Sequence, residues 1–393
     1  MRFLLVLSVL VLGSWAQASL ESDLRALETA KDDLGIRILL RDHFKKAVSY
    51  KDWRFARGVL GRRPGVGFDL VMAWDRHPAI KKYDPRTVKV INALDKADQY
   101  MLEKKFEEAF RGYQAVARYF RSQSKRGIKK SNVQFYYSVL HSMARALYGA
   151  NRLTEALDVY SWIPGSYYQI QQVLFEKMWT GFRAKRYDIA LGAVASQRSA
   201  FFSEFLEPET YLVQIYTLKR LCRVEQAQAA LNSIKKFYKA LQSGALTYQD
   251  WARRDLYWSS LQLLTERKTK PLERLDIIPE PRRMTEIQRI DDRLKKQFQM
   301  NRPNLLESLK LVIGYSTLAV KNDAVLGRVN SLEDPVTLRT KGIEWWPAQD
   351  TEEWLDEIGS HIFVGDSLCG QEPGSAVSSD VKPAAEEGKA APR

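Results

Sequence analysis

Four short turns share one spelling, and their spacing constrains this chain more than any other feature. Each has a charged entry residue, a large apolar residue, two further residues and an alanine: Lys105-Phe106-Glu107-Glu108-Ala109, Arg152-Leu153-Thr154-Glu155-Ala156, Arg186-Tyr187-Asp188-Ile189-Ala190 and Arg223-Val224-Glu225-Gln226-Ala227. The last three alanines lie 34 and 37 residues apart, and the first lies 47 before the second. From about Leu24 to Leu264 apolar residues recur at steps of three and four, the period of amphipathic helices, while few segments alternate with the period of a strand. Each alanine then falls early in the second helix of a pair, where a small side chain lets the preceding helix approach closely.

The pattern resembles the tetratricopeptide repeat, a helix–turn–helix unit of 34 residues. Placing each alanine at its usual position gives windows 90–123, 137–170, 171–204 and 208–241; the second and third abut without a gap. Ala97 and Ala144 match the small residue of the first helix, which Met178 and Ile215 replace. Tyr100 matches its aromatic, whereas Leu147, Gly181 and Leu218 do not; Tyr113 and Tyr160 match the aromatic of the second helix. Pro164 alone matches the proline near the repeat end. The resemblance implies an all-α, TPR-like α-solenoid of stacked helix hairpins with helical caps and a small C-terminal segment. A different helical bundle would also lack sheet, but stacked pairs explain the period as well.

The remaining chain divides around that core. Met1-Arg2, the apolar run Phe3 to Leu12 and the small-residue pattern Ala16-Gln17-Ala18 read as a secretory signal peptide over 1–18, cut before Ser19. The run is shorter than the roughly 20 residues a membrane span needs. Residues 19–85 read as an N-terminal helical cap, with Lys51-Asp52-Trp53-Arg54-Phe55-Ala56 as a candidate fifth turn, ahead of the repeats over 86–245. A helical region follows over 246–342: a capping helix from Thr247 to Leu264, a proline-marked connection, and two helices, Met284 to Phe298 and Asn304 to Val320. A Trp-rich acidic docking segment occupies 343–369, and 370–393 has the composition of a disordered tail.

Net charge of +14, which loses one with Arg2, favours anionic partners, and export removes nucleic acid from them. An oxidising compartment also permits a Cys222–Cys369 disulfide. Sequence cannot supply the Cα separation a bridge demands, so the alternative of two unpaired thiols, with Cys222 in a helix, stays open.

No catalytic constellation is legible. His43, His77, His141 and His361 are scattered, no Cys-x-x-Cys exists, and neither a metal nor another cofactor is expected. Gly61 to Gly67 lacks the Gly-Lys-Ser/Thr ending of a phosphate loop. Glu307-Ser308 after a helical superhelix has the spelling of a lytic transglycosylase acid, but the glycine-rich stretch that should follow it is missing. The reading is therefore non-catalytic, with a wall-active enzyme or a binder of anionic wall polymer as the alternatives.

In tetratricopeptide arrays the first helices line a concave groove. On this register the groove carries Arg145, Tyr148, Gln172, Phe175, Trp179, Arg183, Leu212, Tyr216, Lys219 and Arg220. Rings beside cations suit an extended acidic protein or peptide segment. The basic run Arg118, Arg121, Lys125, Arg126, Lys129 and Lys130 suits an anionic envelope polymer or a lipid surface. Trp345, Trp346 and Trp354 sit in an ending, Glu-Glu-Trp-Leu-Asp-Glu-Ile-Gly, that looks like the close of certain exported bacterial tetratricopeptide proteins, some relatives of which belong to envelope machinery. That resemblance implies a periplasmic envelope scaffold. Its acidic character complements the groove, so the segment is expected to dock in or near its own superhelix.

Overall fold

The computed structural model describes residues 20–44, 49–66, 70, 85–122, 133–199, 206–253, 260–261, 263–264, 277–321, 358–365 and 367–369. Among these residues the regular structure is helical throughout and contains no strand. Residues 1–18, read above as a signal peptide, Lys125 to Lys130, the three tryptophans of the 343–369 segment and residues 370–393 lie outside the described residues.

Three N-terminal helices come first: α1 Leu20–Thr29, α2 Asp33–Phe44 and α3 Tyr50–Arg62, with a 3-10 turn over Pro64–Val66. Four hairpins follow. They are α4 Pro85–Leu102 with α5 Phe106–Ser122, α6 Val133–Gly149 with α7 Leu153–Ser161, α8 Ile170–Arg183 with α9 Tyr187–Gln197, and α10 Pro208–Arg220 with α11 Val224–Ser243. A short α12, Tyr248–Ala252, precedes the long α13, Glu280–Lys321. Local chemistry sets several boundaries. Ser49 accepts the Asp52 amide at 3.1 Å to cap α3. Pro208 occupies the first turn of α10, where its missing N–H costs nothing. Gly244 stops α11 at φ +81°, and Thr247 with Asp250 forms a capping box on α12.

The four hairpin turns share one backbone. Lys104, Asn151, Lys185 and Cys222 are left-handed, with φ of 59°, 60°, 59° and 57°. The next residue's N–H reaches five residues back: Lys105 to Tyr100, Arg152 to Leu147, Arg186 to Gly181 and Arg223 to Leu218, at 2.8–2.9 Å. The anchoring alanines 109, 156, 190 and 227 are all at most 1% exposed, as close helix approach requires. Gly181 belongs to the same logic: a Cβ there would lie 3.0 Å from the Ala190 backbone nitrogen, so its departure from the aromatic pattern serves contact between α8 and α9.

A fifth copy of this turn exists, and it is not at Lys51. Lys31 has φ 55°, and the Asp32 amide donates to Leu27 at 2.9 Å, joining α1 to α2. Ile36 stands where the other turns have alanine, so the spelling concealed it. Lys51 instead lies in the first turn of α3. The expected pair of helices at 284–298 and 304–320 is one continuous helix, running through Pro303. Pro303 is exposed, while Leu294, Leu305 and Leu309 are buried on either side of it, so tertiary packing holds both halves in line. Cys222 lies in a turn and not within a helix.

Each hairpin helix from α4 to α11 packs on the next, and α8 also meets α10. The cores follow this order. Buried residues from Val90 to Leu174 form one cluster, and those of α10 and α11 join Leu305, Leu309 and Val312 of α13 in another. The N-terminal helices share their core with Ala252, Leu261, Ile278, Ile290 and Leu294. Helix α13 therefore packs on α2 near its start and on α10 and α11 further on. Buried ion pairs reinforce the first contact. Arg283 meets Asp32 at 2.5 Å, and Glu286, 1% exposed, meets Arg37 at 2.9 Å and also Arg41.

Candidate peptide-binding face and C-terminal strap

On α8, Gln172, Phe175, Trp179 and Arg183 follow steps of three and four and share one side. Arg183 of this helix reaches back to the preceding hairpin. Its guanidinium lies 4.5 Å from the Tyr148 ring centroid, and its Nη2 donates to Asn151 Oδ1 at 3.2 Å. Asn151 is the left-handed turn residue, so the turn itself presents an acceptor to the next unit. Trp179 and Phe182 meet edge to face at 6.1 Å, and Phe182 meets Tyr187 at 6.2 Å. The same reach recurs one hairpin earlier, where Arg152 pairs with Glu107 at 3.0 Å and lies over Phe110.

Beside this face Glu176 gathers donors from three helices. It accepts two hydrogen bonds from Arg145 on its Oε1, at 3.0 and 2.7 Å, and one from Gln172 at 2.9 Å. Its Oε2 accepts from Tyr160 at 3.0 Å and lies 2.9 Å from His141 Nε2. Burial alone would raise its pKa, yet hydrogen bonds from His141 and Arg145 and the guanidinium charge of Arg145 hold the carboxyl well below the usual range. His141 is 1% exposed, and burial pushes its pKa down despite the neighbouring carboxylate. The imidazole is therefore neutral at pH 7. Burial and the Glu176 carboxylate together raise the Tyr160 hydroxyl well above its ordinary value.

Two of the expected groove residues have partners within the chain. Arg145, expected to face a partner, is committed to Glu176. The sequence register overlooked Glu176 because its donors lie 31 and 35 residues away, and neither helix alone signals the pairing. Lys219 is committed as well, donating from Nζ to the Ala319 carbonyl at 3.0 Å, where it caps the end of α13. Tyr148, Gln172, Phe175, Trp179 and Tyr216 are half-buried, and Arg183 and Arg220 are exposed. Of the basic run, Arg118 and Arg121 are exposed on α5. Glu307 is exposed on α13, away from the Glu176 cluster. No group of three or more metal-binding side chains occurs among the described residues.

The described end of the chain, 358–365 and 367–369, lies as a strap across α8 to α11, opening on a turn in which Gly359 has φ +93°. Ile358 is buried with Leu174 and its neighbours. The Gly359 amide donates to Ser196 Oγ at 3.2 Å, and the Gly359 carbonyl accepts from Lys177 Nζ at 2.7 Å. His361 Nδ1 lies 2.8 Å from Ser196 Oγ. The Phe363 amide donates to the Asp188 carbonyl at 3.1 Å, and Arg223 covers the Phe363 ring at 5.0 Å. Further on, the Leu368 amide donates to the Leu221 carbonyl at 2.9 Å, and Cys369 is bridged to Cys222 with Cα atoms 5.1 Å apart.

The described strap contacts the side of α8 away from the expected groove residues. Lys177 and Leu174, which it touches, are turned well over 100° from the Gln172–Phe175–Trp179–Arg183 side, at about 100° per residue. The described strap therefore leaves that side uncovered, and Glu344 to Glu357 fall outside the described residues. Asp188, Gly192, Ser196 and Lys177, which seat the strap, had no signal in the sequence beyond helical periodicity. The cysteine pair was the one legible sign of this contact. No protein-family model, curated protein or solved structure matches the chain.

Proposed function

We propose that the protein is an exported, non-catalytic scaffold of the bacterial periplasm, built as a TPR-like solenoid that holds an extended acidic segment of a protein partner. The observation that carries this reading is the repeated left-handed turn at Lys104, Asn151, Lys185 and Cys222. Four hairpins share that turn, each helix packs on the next, and α8 also meets α10; in peptide-holding helical arrays the first helices of such hairpins line the groove. On that side Arg183, stacked on Tyr148 and bonded to an amide oxygen, is exposed and has nearby rings in Trp179 and Phe182. Rings supply contact area, and a guanidinium supplies charge-assisted hydrogen bonds to a carboxylate.

The test is a panel of labelled extended peptides, acidic, neutral and basic, measured by fluorescence anisotropy against the purified chain. Acidic peptides should bind best, weakening as salt rises. Trp179→Ala should weaken them by roughly tenfold or more, in the range of an interface hot spot. Equal affinity for all three classes would defeat the proposal. For export, the mature protein should begin at Ser19; an N-terminus at Met1 in an envelope fraction would contradict it.

A further inference from the structure

The C-terminal strap is attached through contacts that read a backbone, the His361 imidazole and the Phe363 ring. Lys177, buried, offers its ammonium to a main-chain carbonyl. The Asp188 carbonyl takes a main-chain N–H, as does Ser196 Oγ. Arg223 covers an aromatic ring. Gly192 forms the floor, and a Cβ there would overlap the His361 carbonyl. His361 and Phe363 face inward, whereas Ile362 and Val364 face outward, 59% and 64% exposed. Donors and acceptors for a main chain, a bare glycine floor and a pocket for alternate side chains are the elements of a site for an extended peptide. Such a site accepts any segment of matching chemistry. What makes the strap its resident is the Cys222–Cys369 bridge, and both cysteines are exposed.

We propose that the strap seat is a redox-gated binding site for an extended peptide, occupied at rest by residues 358–369 and opened to a partner segment when the disulfide is reduced. The partner segment carries a glycine or other small residue, a hydrogen-bonding side chain two positions on for Ser196, and an aromatic two further on for Arg223. The opening reaction is thiol–disulfide exchange with a dithiol reductant. One thiolate attacks an exposed sulfur of the pair, forming a mixed disulfide and breaking the Cys222–Cys369 bond; the departing sulfur leaves as a thiolate and takes a proton. The reductant's second thiol then attacks the mixed disulfide. Two electrons and two protons pass to the cysteine pair, and the reductant leaves as its own disulfide. The strap is afterwards held only by its non-covalent contacts, and a competitor meets it at the finite effective concentration of an intramolecular segment instead of against a covalent bond. This site lies on the other side of α8 from the proposed acidic-peptide face and does not depend on it.

The experiment uses the full chain carrying His361→Ala and Phe363→Ala, which weaken its own strap. The probe is a fluorescein-labelled peptide of residues 358–369 with Cys369→Ser. Reduced with dithiothreitol, the chain should bind the probe at least about tenfold more tightly than when oxidised. Gly192→Val, added to the reduced chain, should abolish binding while its helical circular dichroism and melting stay as before. Lys177→Met should independently weaken it by roughly tenfold, the loss of one charge-assisted hydrogen bond. Equal binding by both redox states, or no binding by the reduced chain, would overturn the proposal, as would full binding by both seat variants.

Discussion

Lys185 occupies a backbone conformation that favours glycine, at φ 59°, and its side chain is exposed. An L-residue in that region costs about 1 kcal/mol or more through its Cβ, a cost that glycine escapes. Lys185→Gly should therefore raise unfolding free energy by up to about 1 kcal/mol, measured by urea denaturation; a loss of stability would count against the turn geometry. Glu176 behaves differently because its partners come from other helices. Replacing it with Gln leaves buried His141 and half-buried Arg145 facing a neutral amide, which should cost about 1–3 kcal/mol at pH 7. Its folded pKa is depressed, so its stabilisation is complete above the ordinary glutamate value of about 4 and drains away as pH falls further. His141 acts in the same direction: the unfolded chain takes up its proton near pH 6.5, before the folded chain does. Wild type should thus lose stability on acidification below about pH 6.5, and the gap to Glu176→Gln should narrow below about pH 4. A gap independent of pH would show that Glu176 is not ionised as described.

Helix α13 crosses Pro303 without interruption, although proline removes one main-chain donor and crowds the turn before it. Pro303 is exposed, so Pro303→Ala removes no packing and restores the donor. Stability should rise by about 1–3 kcal/mol, checked by thermal and urea unfolding; no change would mean that the helix is not continuous there. This helix also shows where sequence reading ends. Proline legibly marks a boundary in local terms, and the buried leucines that override it are visible only once the N-terminal helices stand beside Leu294 and α10 and α11 beside Leu305 and Leu309. The repeated turns were legible because alanine marks close contact at 109, 156, 190 and 227. The fifth was hidden because Ile36 fills the equivalent place. That Phe175, Trp179 and Arg183 share one side of α8 was readable from helical phase alone. The Glu176 cluster and the strap seat were not, since each joins residues far apart in the chain, and 182 positions separate Lys177 from Gly359.

Across the molecule, the start of α13 holds the N-terminal helices through charges that water hardly reaches, and its later turns pack on α10 and α11 through apolar residues. Glu286→Gln would leave Arg37, 4% exposed, beside a neutral partner, and breaking such a pair costs about 3–5 kcal/mol. Hydrogen exchange should then rise first in α1 to α3, ahead of α6 to α9; uniform exchange across the chain would argue against this closure. The larger claim concerns what the hairpins hold. If the face around Tyr148, Trp179 and Arg183 selects acidic segments through Arg183, reversing that one charge must reverse the preference. The most direct measurement is a pair of affinities, for one acidic extended peptide and its lysine-substituted counterpart, on wild type and on Arg183→Glu. Wild type should favour the acidic peptide, and Arg183→Glu should lose that preference by about tenfold or more while gaining for the basic one. An unchanged preference in Arg183→Glu, with the fold intact by circular dichroism, would contradict the account.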